Sequence, residues 1–572
     1  MRRNSWPLKL LALMFSLALL AAACGGGDDE EGGGENAEGG GATPTSIESK
    51  TGKIEGGTSV TGEGLPADTL VDYTTLSADN PNHIDPATAD TRQGSQVTEL
   101  VYDGLTTVDS DNEVQPAVAE KWSANEDSSV WTFTLGDDTF SNGEKITPTT
   151  FKKSWERVLN KELASSLSYH LLPIEGASEL AEGKGTELTG VVADDEAGTL
   201  EVTLVSPNSD FPAIVSHTVF SPVPKEAYEA TSADAINKWE RGVMIGNGPY
   251  KMTEPWKDDE YIKVEMNDSY TRTAAKIPKI EFRISKTVEA AYAAFEAGEG
   301  DTAPIPPGTF ADATESYNNA TDPSFGLYYF GVSQDNPSLG GAENLKVRQA
   351  ISLAIDRERI NTQVYDGARL SATGVTPPGI PGYKADLCGD YCTYDAARAK
   401  KLVEEWGKAD SMKPLKLQYN LGGGHEDVAN IVEENLKAAG LKVEQDPRDG
   451  ETYFDEMKKK GGCDFCRTGW IWDYPSYYSI YSIFATSSID GDNLGRYTNK
   501  DFDKKAGEAA AESDEDARNK LWQEAETILF DDMGTVPLNW YTNQVVYSDR
   551  LDGLKANGLQ AINYDEIAIA GN

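Results

Sequence analysis

Apolar and polar residues alternate along this chain in two periods, one typical of strands and one typical of helices. In Val130–Leu135 (VWTFTL) bulky residues take every second position, which predicts a half-buried strand. Thr147-Pro148 predicts a helix start, because proline is favoured at the first helical position. Residues 345–355 (LKVRQAISLAI) have helical spacing, and Asp395 is placed to cap a further amphipathic helix. The two patterns interleave, which predicts an α/β fold.

The interleaving continues to the end of the chain. Further strands are predicted at residues 201–205, 261–266, 279–284 and 415–419. A helix is predicted to end at Gly440, and a long acidic helical stretch at 501–530 precedes a strand-rich segment at 536–547. At 572 residues the chain is too long for one core, so two or three lobes are expected.

The N-terminus has the composition of an export signal. A basic start (Arg2, Arg3 and Lys9) precedes an apolar run at residues 10–20, and three alanines lead to Cys24. This arrangement resembles a lipoprotein processing site, in which Cys24 becomes the lipidated first residue. It predicts that lipid, including palmitate, anchors the protein to the outer (extracytoplasmic) face of the cell membrane. Residues 25–57 are acidic and glycine-rich and predict a flexible tether, with no order before about Thr58.

Composition excludes one class of partner. The chain has 94 acidic and 51 basic residues, a net charge of −43. Phosphate recognition needs a basic surface, so nucleic-acid binding is not expected. No cofactor motif is present, and a monomer is expected.

Four cysteines besides Cys24 form two close pairs in the sequence, Cys388 with Cys392 and Cys463 with Cys466. In an exported protein, two local disulfides are the simplest interpretation, although four cysteines allow three pairings. A four-thiolate zinc site is the alternative.

Residues 469–484 (GWIWDYPSYYSIYSIF) form the most unusual stretch of the chain. Seven of these sixteen residues are aromatic, against 9% of the whole chain, and Asp473 is the one charge between Arg467 and Asp490. A bare buried carboxylate costs several kcal/mol, so Asp473 requires a hydrogen bond, a cation or water. One hypothesis is that it binds the free amino group of a captured solute. The other is that it caps a local turn, with the aromatic residues forming ordinary core.

Enzyme motifs are missing. The chain has no Gly-x-Ser-x-Gly elbow, no Walker A loop and no HExxH motif. Its histidines, His83, His170, His217 and His425, lie far apart in sequence and are interpreted as surface or core residues, so no metal site is predicted. An exported multi-lobed protein without catalytic motifs is typical of a capture protein.

Several short stretches, in order, resemble the family 5 solute-binding lipoproteins of ABC importers, the oligopeptide- and dipeptide-binding group. They cover roughly residues 68–550 and are NHIDP at 82–86, VYDGL at 101–105, FSNG at 140–143, the helix at 151–159, GNGPY at 246–250, VRQAI at 347–351 and GW to YP at 469–475.

The resemblance implies a periplasmic-binding-protein-like fold, with two lobes closing on a hinge and an inserted third domain. Domain I would comprise residues 58–98, 226–310 and 531–572. Domain II would comprise residues 99–225, and domain III residues 311–530. Ligand would lie between domains I and III.

The resemblance also implies the function: capture of peptides and their delivery to a permease and its ATPase. Peptide in such proteins lies extended and pairs with protein strands. Asp473 matches the residue that takes the peptide amino group, and Arg467 matches one that takes a terminal carboxylate in some members. Trp470, Trp472 and Gly469 complete the predicted ligand-binding set. On one strand, Arg467, Gly469 and Asp473 would share a face and Trp470 would lie opposite, so a bend near Trp472 is required.

The sequence leaves open two alternatives to peptide capture. Some family members bind oligosaccharides, and aromatic residues can stack on sugars. An extracellular hydrolase is the alternative from a different class, against which the missing nucleophile and metal motifs argue.

Overall fold

A computed structural model describes residues 52–570, apart from 78–79, 274, 451, 563 and 565 and the side chains of 481 and 482. The predicted export signal, Cys24 and most of the predicted tether lie outside the described residues. The last six tether residues, 52–57, are described and contact the protein body. Gly52 N donates to Asn319 O at 3.2 Å, and Ile54 N donates to Asn318 Oδ1 at 3.1 Å. The described chain therefore makes contacts six residues earlier than the sequence predicts.

The structure contains these strands: β1 Thr69–Asp72, β2 Thr106–Val108, β3 Val114–Pro116, β4 Ala119–Ala124, β5 Val130–Leu135, β6 Val191–Asp194, β7 Thr199–Thr203, β8 Tyr250–Met252, β9 Tyr261–Met266, β10 Lys279–Arg283, β11 Thr302–Pro304, β12 Asn319–Val332, β13 Leu370–Ser371, β14 Leu415–Asn420, β15 Val443–Arg448, β16 Phe465–Ile471 and β17 Thr535–Tyr547.

Its α-helices are α1 Arg92–Val101, α2 Pro148–Val158, α3 Ala177–Ala181, α4 Phe211–Ile214, α5 Ala233–Glu240, α6 Val288–Glu296, α7 Phe310–Ser316, α8 Leu345–Ala354, α9 Arg357–Val364, α10 Ala396–Trp406, α11 His425–Ala438, α12 Tyr453–Lys458, α13 Tyr478–Phe484, α14 Lys500–Ala511 and α15 Glu515–Asp531.

One large mixed sheet runs through the molecule in the order β15-β14-β16-β12-β17-β11-β1-β10-β9-β8, with β13 added to β17. The pairs β1–β10, β14–β15 and β14–β16 are parallel, and β12 is antiparallel to both β16 and β17. The long strands β12 and β17 form a ribbon that joins the two halves of this sheet. Their register shifts between Pro323 and Leu327, at the middle of the ribbon.

A separate four-stranded antiparallel sheet has the order β4-β5-β7-β6. Phe133 of β5 and Leu200 of β7 are fully buried, and they pack in one core with Phe151 and Trp155 of α2. The predicted alternation of β5 is confirmed at Trp131 and Phe133, which are both buried. The mixture of parallel and antiparallel strands with packed helices confirms the predicted α/β class.

Local signals in the sequence predicted most element starts correctly. Pro148 is the first residue of α2 with Thr147 as its N-cap, and the Asp395 side chain caps α10 by accepting from Arg398 N. The acidic stretch at 501–530 is helical, as predicted, apart from one break between Ala511 and Glu515. That stretch is two helices, α14 and α15, because the Asp514 side chain accepts from Ala517 N and begins a new helix.

The four described cysteines form two disulfides, Cys388–Cys392 and Cys463–Cys466. This outcome removes the four-thiolate zinc alternative. Within the part of the chain that the structure describes, no helix has both the length and the apolar composition required to cross a bilayer.

Candidate functional site

The Asp473 segment begins where β16 ends, at Ile471. Trp472 N donates to Phe325 O at 2.8 Å, at the register shift of the β12–β17 ribbon, and the chain then turns away from the sheet. Asp473 is therefore outside the strand, and the prediction that it shares a strand face with Arg467 and Gly469 is wrong. The bend required near Trp472 is present, and it directs the Asp473 carboxylate into a cavity.

Most aromatic side chains of residues 469–484 lie in the core, as the hypothesis of a capped turn with ordinary core residues predicts. The exposed fractions of Trp472, Tyr477 and Phe484 are 2%, 2% and 3%. Tyr477 stacks on Trp522 of α15 with ring centroids 6.4 Å apart. Tyr474 packs into the core beneath the four-stranded sheet. Among the described side chains of residues 469–484, those of Ile471, Trp472 and Asp473 line the cavity.

The cavity has a volume of about 890 Å³ and lies where all three predicted domains meet. This volume is within the ~300–1,000 Å³ typical of small-ligand sites. Residues of α1 and of the C-terminal segment form one wall. Tyr169, Ser216 and His217 form another, and Ile471–Asp473 form a third.

The charged side chains of the cavity lining are predominantly acidic. Six carboxylates and two guanidiniums contribute: Asp90, Glu99, Asp103, Asp109, Asp473 and Glu566 against Arg92 and Arg272. Arg92 pairs with Glu99 at 2.8 Å, and Arg272 pairs with Asp103. Both cations are thus already neutralised, so the surplus of negative charge favours a positively charged ligand.

Asp473 is a half-buried carboxylate of this lining, with 28% of its side chain exposed, and no described lysine or arginine pairs with it. Its Oδ2 accepts from the Tyr169 hydroxyl at 3.4 Å and lies 3.9 Å from His170 Nε2. Among the described residues, no lysine or arginine comes within 4 Å of it. Burial raises the pKa of Asp473 to about 7, with a further rise from Asp492 and an opposing contribution from the Tyr169 hydroxyl. The site therefore disfavours the ionised form of Asp473 unless a cation binds beside it.

Three residues of the predicted site lie on β16, away from this cavity. The Arg467 guanidinium lies over the Tyr328 ring, 4.9 Å from its centroid, and donates to Asn420 Oδ1 at 3.1 Å. Gly469 lies against the Tyr541 hydroxyl, 2.6 Å from where a Cβ would stand. Trp470 is partly buried and packs on the core cluster of the β12–β16 half. Their role as ligand contacts stays a prediction.

One edge of β16 is open along its last residues. β12 pairs with the strand from Phe465 to Ile471. On the other edge β14 pairs only with Phe465 and Cys466, so no described strand pairs with residues 468–471 there. Unpaired backbone N–H and C=O groups of this kind are a template for an added strand. The open edge runs directly toward Asp473.

Two histidines that are far apart in sequence meet at Asp473. The rings of His170 and His217 stack with centroids 4.3 Å apart, and the Tyr169 ring is tilted against that of His170, with centroids 4.0 Å apart. The interpretation of each histidine as a surface or core residue holds for the buried His170, but the contact between two of them was not predicted. Tyr169, His170 and His217 were not predicted as site residues. The two histidines are separated by 46 residues in the sequence, and only the folding of the inserted sheet brings them together.

Comparison with known proteins gives a family match. The model of "Bacterial extracellular solute-binding proteins, family 5 Middle" matches residues 113–492, which is more than half of the chain.

Curated relatives match over most of their length. The periplasmic oligopeptide-binding protein OppA of Escherichia coli (strain K12) is 30% identical over 495 residues, which cover 83% of this chain and 88% of that protein. The oligopeptide-binding protein OppA of Bacillus subtilis (strain 168) is 28% identical over 456 residues, covering 76% and 81%. The periplasmic murein peptide-binding protein MppA of Escherichia coli (strain K12) is 28% identical over 500 residues, covering 85% and 90%.

Solved structures agree with the fold. The unliganded open form of the murein tripeptide-binding protein MppA has a TM-score of 0.73 to this structure at 26% identity, covering 90% of this chain and 99% of that one. Haemophilus influenzae OppA in complex with the peptide RPPGFSPFR has a TM-score of 0.67 at 25% identity, covering 88% and 99%.

Proposed function

Because the chain belongs to family 5 of the bacterial extracellular solute-binding proteins, we propose that it captures peptides with free amino ends and delivers them to an ABC permease. Relatives over most of the chain are named as oligopeptide-, dipeptide- and murein-peptide-binding proteins, which supports a binding role and no enzymatic one. The chain would act as a lipid-anchored subunit, attached through Cys24 on the outer face of the cell membrane.

The observation that carries this proposal is the half-buried Asp473 carboxylate at the cavity wall, with which no cation of the described residues pairs. A charge-assisted hydrogen bond contributes ~1.5–3 kcal/mol, and more is lost when one partner of a buried pair is removed. A peptide ammonium placed here would favour the ionised form of Asp473 and form such a charge-assisted hydrogen bond with it. The acidic cavity lining adds attraction for the same end of the ligand.

The open edge of β16 supports an extended ligand. A peptide whose amino end meets Asp473 can run beside residues 468–471 and form main-chain hydrogen bonds there. Such bonds are the same for every peptide sequence, so they would permit broad specificity. Arg467, at the far end of this edge, is the proposed partner of a ligand carboxylate.

The test compares two peptide libraries on the purified protein. Short peptides with free amino ends, and the same peptides acetylated, are equilibrated with the protein, and retained peptides are identified by mass spectrometry. We expect retention of the free-amine library only. Asp473→Asn should weaken retention at least tenfold, because the amide cannot form an ion pair, and calorimetry on a retained peptide gives the affinity.

The matched control is Asp137→Asn, since the Asp137 side chain is 88% exposed and pairs with Lys145. It should bind peptides as the unmodified protein does. Equal retention of both libraries, or unchanged affinity in Asp473→Asn, would contradict the amine role. An oligosaccharide that raises the melting temperature while peptides do not would favour the sugar alternative.

A further inference from the structure

Two arginines near the far end of the open β16 edge pair with no carboxylate of the described chain. Arg467 donates from its guanidinium to the neutral amide oxygen of Asn420 at 3.1 Å. Arg369 donates in the same way to the amide oxygen of Asn539 at 3.2 Å. In a chain with 94 acidic and 51 basic residues, two arginines without an acidic partner are unexpected, because acidic partners are abundant.

The other arginines of the described chain are satisfied within the protein. Most of them form ion pairs with carboxylates, as Arg272 does. Arg348 and Arg357 do not, but both are buried and each donates to several backbone carbonyl oxygens. Arg369 and Arg467 are only partly buried and have neither kind of partner, and Arg467 Nε is a buried atom without a hydrogen bond among the described residues. Because a guanidinium has five N–H donors, both keep donors for an anion.

Tyrosine rings hold both guanidiniums in place without neutralising them. Arg369 lies over the rings of Tyr365 and Tyr541, 4.2 Å from each centroid. Arg467 lies 4.9 Å from the centroid of the Tyr328 ring. A guanidinium over an aromatic face is attracted to the ring, and the N–H groups at its edge stay available. The two cations are therefore positioned before any ligand binds.

The two guanidiniums face the same region of the sheet, beside Gly469. The Tyr541 hydroxyl lies 2.6 Å from where a Cβ on Gly469 would stand, and Arg467 Nη2 lies 3.6 Å from that point. Tyr541 thus contacts Arg369 with its ring and extends its hydroxyl toward Arg467. Burial lowers the pKa of His425 to about 4, with contributions from Arg467 and Arg369, so this neighbouring ring is neutral. The region holds two positive charges that no described carboxylate pairs.

We propose that Arg369 and Arg467 together bind two anionic groups at the carboxyl end of the ligand, namely the terminal carboxylate and the side-chain carboxylate of an acidic last residue. The planar fork of a guanidinium matches one carboxylate, so two guanidiniums match two. The site rests on the proposed peptide capture and extends it, because Arg369 becomes a specificity-determining residue beside the single carboxylate contact proposed for Arg467.

The distribution of charge along the cleft matches such a ligand. Residues 468–471 of the open edge lead from Arg467 to Asp473 and the acidic cavity lining. An extended peptide with its amino end at Asp473 would bring its carboxyl end toward the two arginines. In the reverse direction two negative charges would meet the acidic lining, which repels them, so the same distribution selects one orientation.

The experiment uses three sets of short peptides with free amino ends that differ only at the carboxyl end: glutamate, glutamine, and glutamine with an amidated terminus. Retention on the purified protein is measured by mass spectrometry, and calorimetry on retained sequences gives affinities. We expect peptides ending in glutamate to bind at least about tenfold more tightly than those ending in glutamine, and the amidated set to bind most weakly. The preference should shrink as sodium chloride is added, because both guanidiniums are partly exposed.

Arg369→Gln should abolish the preference for glutamate over glutamine and leave the affinity for peptides ending in glutamine nearly unchanged. Arg369→Lys keeps the charge without the planar fork, so it should keep part of the preference, and it replaces the first variant if that one fails to fold. The matched control is Arg398→Gln, since Arg398 also lies over a tyrosine ring, that of Tyr391, but is already paired with Asp390. It should keep the full preference.

Equal affinity for peptides ending in glutamate and glutamine, or an undiminished preference in Arg369→Gln, would overturn the two-arginine site and leave peptide capture intact. Glutarate, which has two carboxylates and no amine, tests the site without peptide. It should raise the melting temperature of the unmodified protein, relative to sodium chloride at equal ionic strength, but not that of Arg369→Gln. That result would support the site even where acetylated and free-amine peptides are retained alike, and no effect of glutarate would count against it.

Discussion

Asp85 is a fully buried carboxylate and Asp473 a half-buried one, and the protein surrounds them in opposite ways. Asp85 is fully buried and forms two hydrogen bonds of 2.9 Å with the Arg157 guanidinium, itself 4% exposed. Asp473 is approached by a tyrosine hydroxyl and a neutral histidine, and it faces a cavity. Asp85 is paired with a cation of the protein itself, whereas Asp473 is available to a cation of a ligand.

This difference separates a structural acid from a binding acid. Asp85 joins the segment after β1 to helix α2, and nothing outside the protein is needed to satisfy it. A carboxylate that binds a ligand cation must lack an internal cation, because a carboxylate that is already paired gains little free energy from a second one. The comparison therefore predicts opposite responses when each charge is disturbed.

The largest expected effect is at Arg157. Arg157→Met leaves Asp85 buried without its cation and should lower the free energy of unfolding by about 3–5 kcal/mol. Urea unfolding followed by circular dichroism measures this loss.

The double variant Asp85→Asn/Arg157→Met is the control, since it removes the buried charge as well as its partner. It should recover part of the lost stability. A loss below about 1 kcal/mol in the single variant would show that the pair contributes no more than a surface ion pair.

Glu526 of α15 is an intermediate case, satisfied by neutral donors alone. Val375 N and the Thr376 hydroxyl donate to it at 2.7 and 2.8 Å, and burial raises its pKa to about 7. The ordinary value is 4.5, so the folded protein binds the proton more tightly, and its stability should fall as pH rises from 4.5 to 7. Glu526→Gln should therefore stabilise the protein by up to about 3 kcal/mol at pH 8 and change little near pH 4.5.

Melting temperatures of Glu526→Gln and the unmodified protein across this pH range test the expectation. The exposed Asp137→Asn variant is the control for a general effect of removing negative charge. A gain that is the same at every pH would contradict the titration of Glu526.

Sequence reasoning was reliable where the cause of structure is local. The α/β class, the start of α2 and the cap of α10 follow from periodicity and from single capping residues. Asp473 was found because one charge among many aromatic residues is rare. The break between α14 and α15 was missed, although Asp514 is an ordinary capping residue, because an acidic helix pattern continues on both sides of it.

Three of the family-like stretches, VYDGL, GNGPY and VRQAI, make packing and backbone contacts in the structure, which sequence alone could not decide. Asn247 of the GNGPY stretch bonds to both the N–H and the C=O of Asp103. A Cβ on Gly246 would stand 1.9 Å from Val101 O, so the two motifs pack backbone against backbone. Arg348 of VRQAI donates to three backbone carbonyls, those of Leu339, Gly341 and Asp532. The His170–His217 contact had no local signal at all.

The smallest expected effect completes the comparison at Asp473 itself. Asp473→Asn should raise the melting temperature slightly at pH 8, because it removes a half-buried carboxylate that has no internal cation. The gain should be about 1 kcal/mol, less than the pKa shift alone implies, since 28% of the side chain faces the cavity and is partly hydrated. The same substitution should weaken peptide retention, so stability and binding would change in opposite directions. A loss of stability comparable to that of Arg157→Met would instead mean that Asp473 is a structural acid like Asp85, and the distinction between the two carboxylates would not hold.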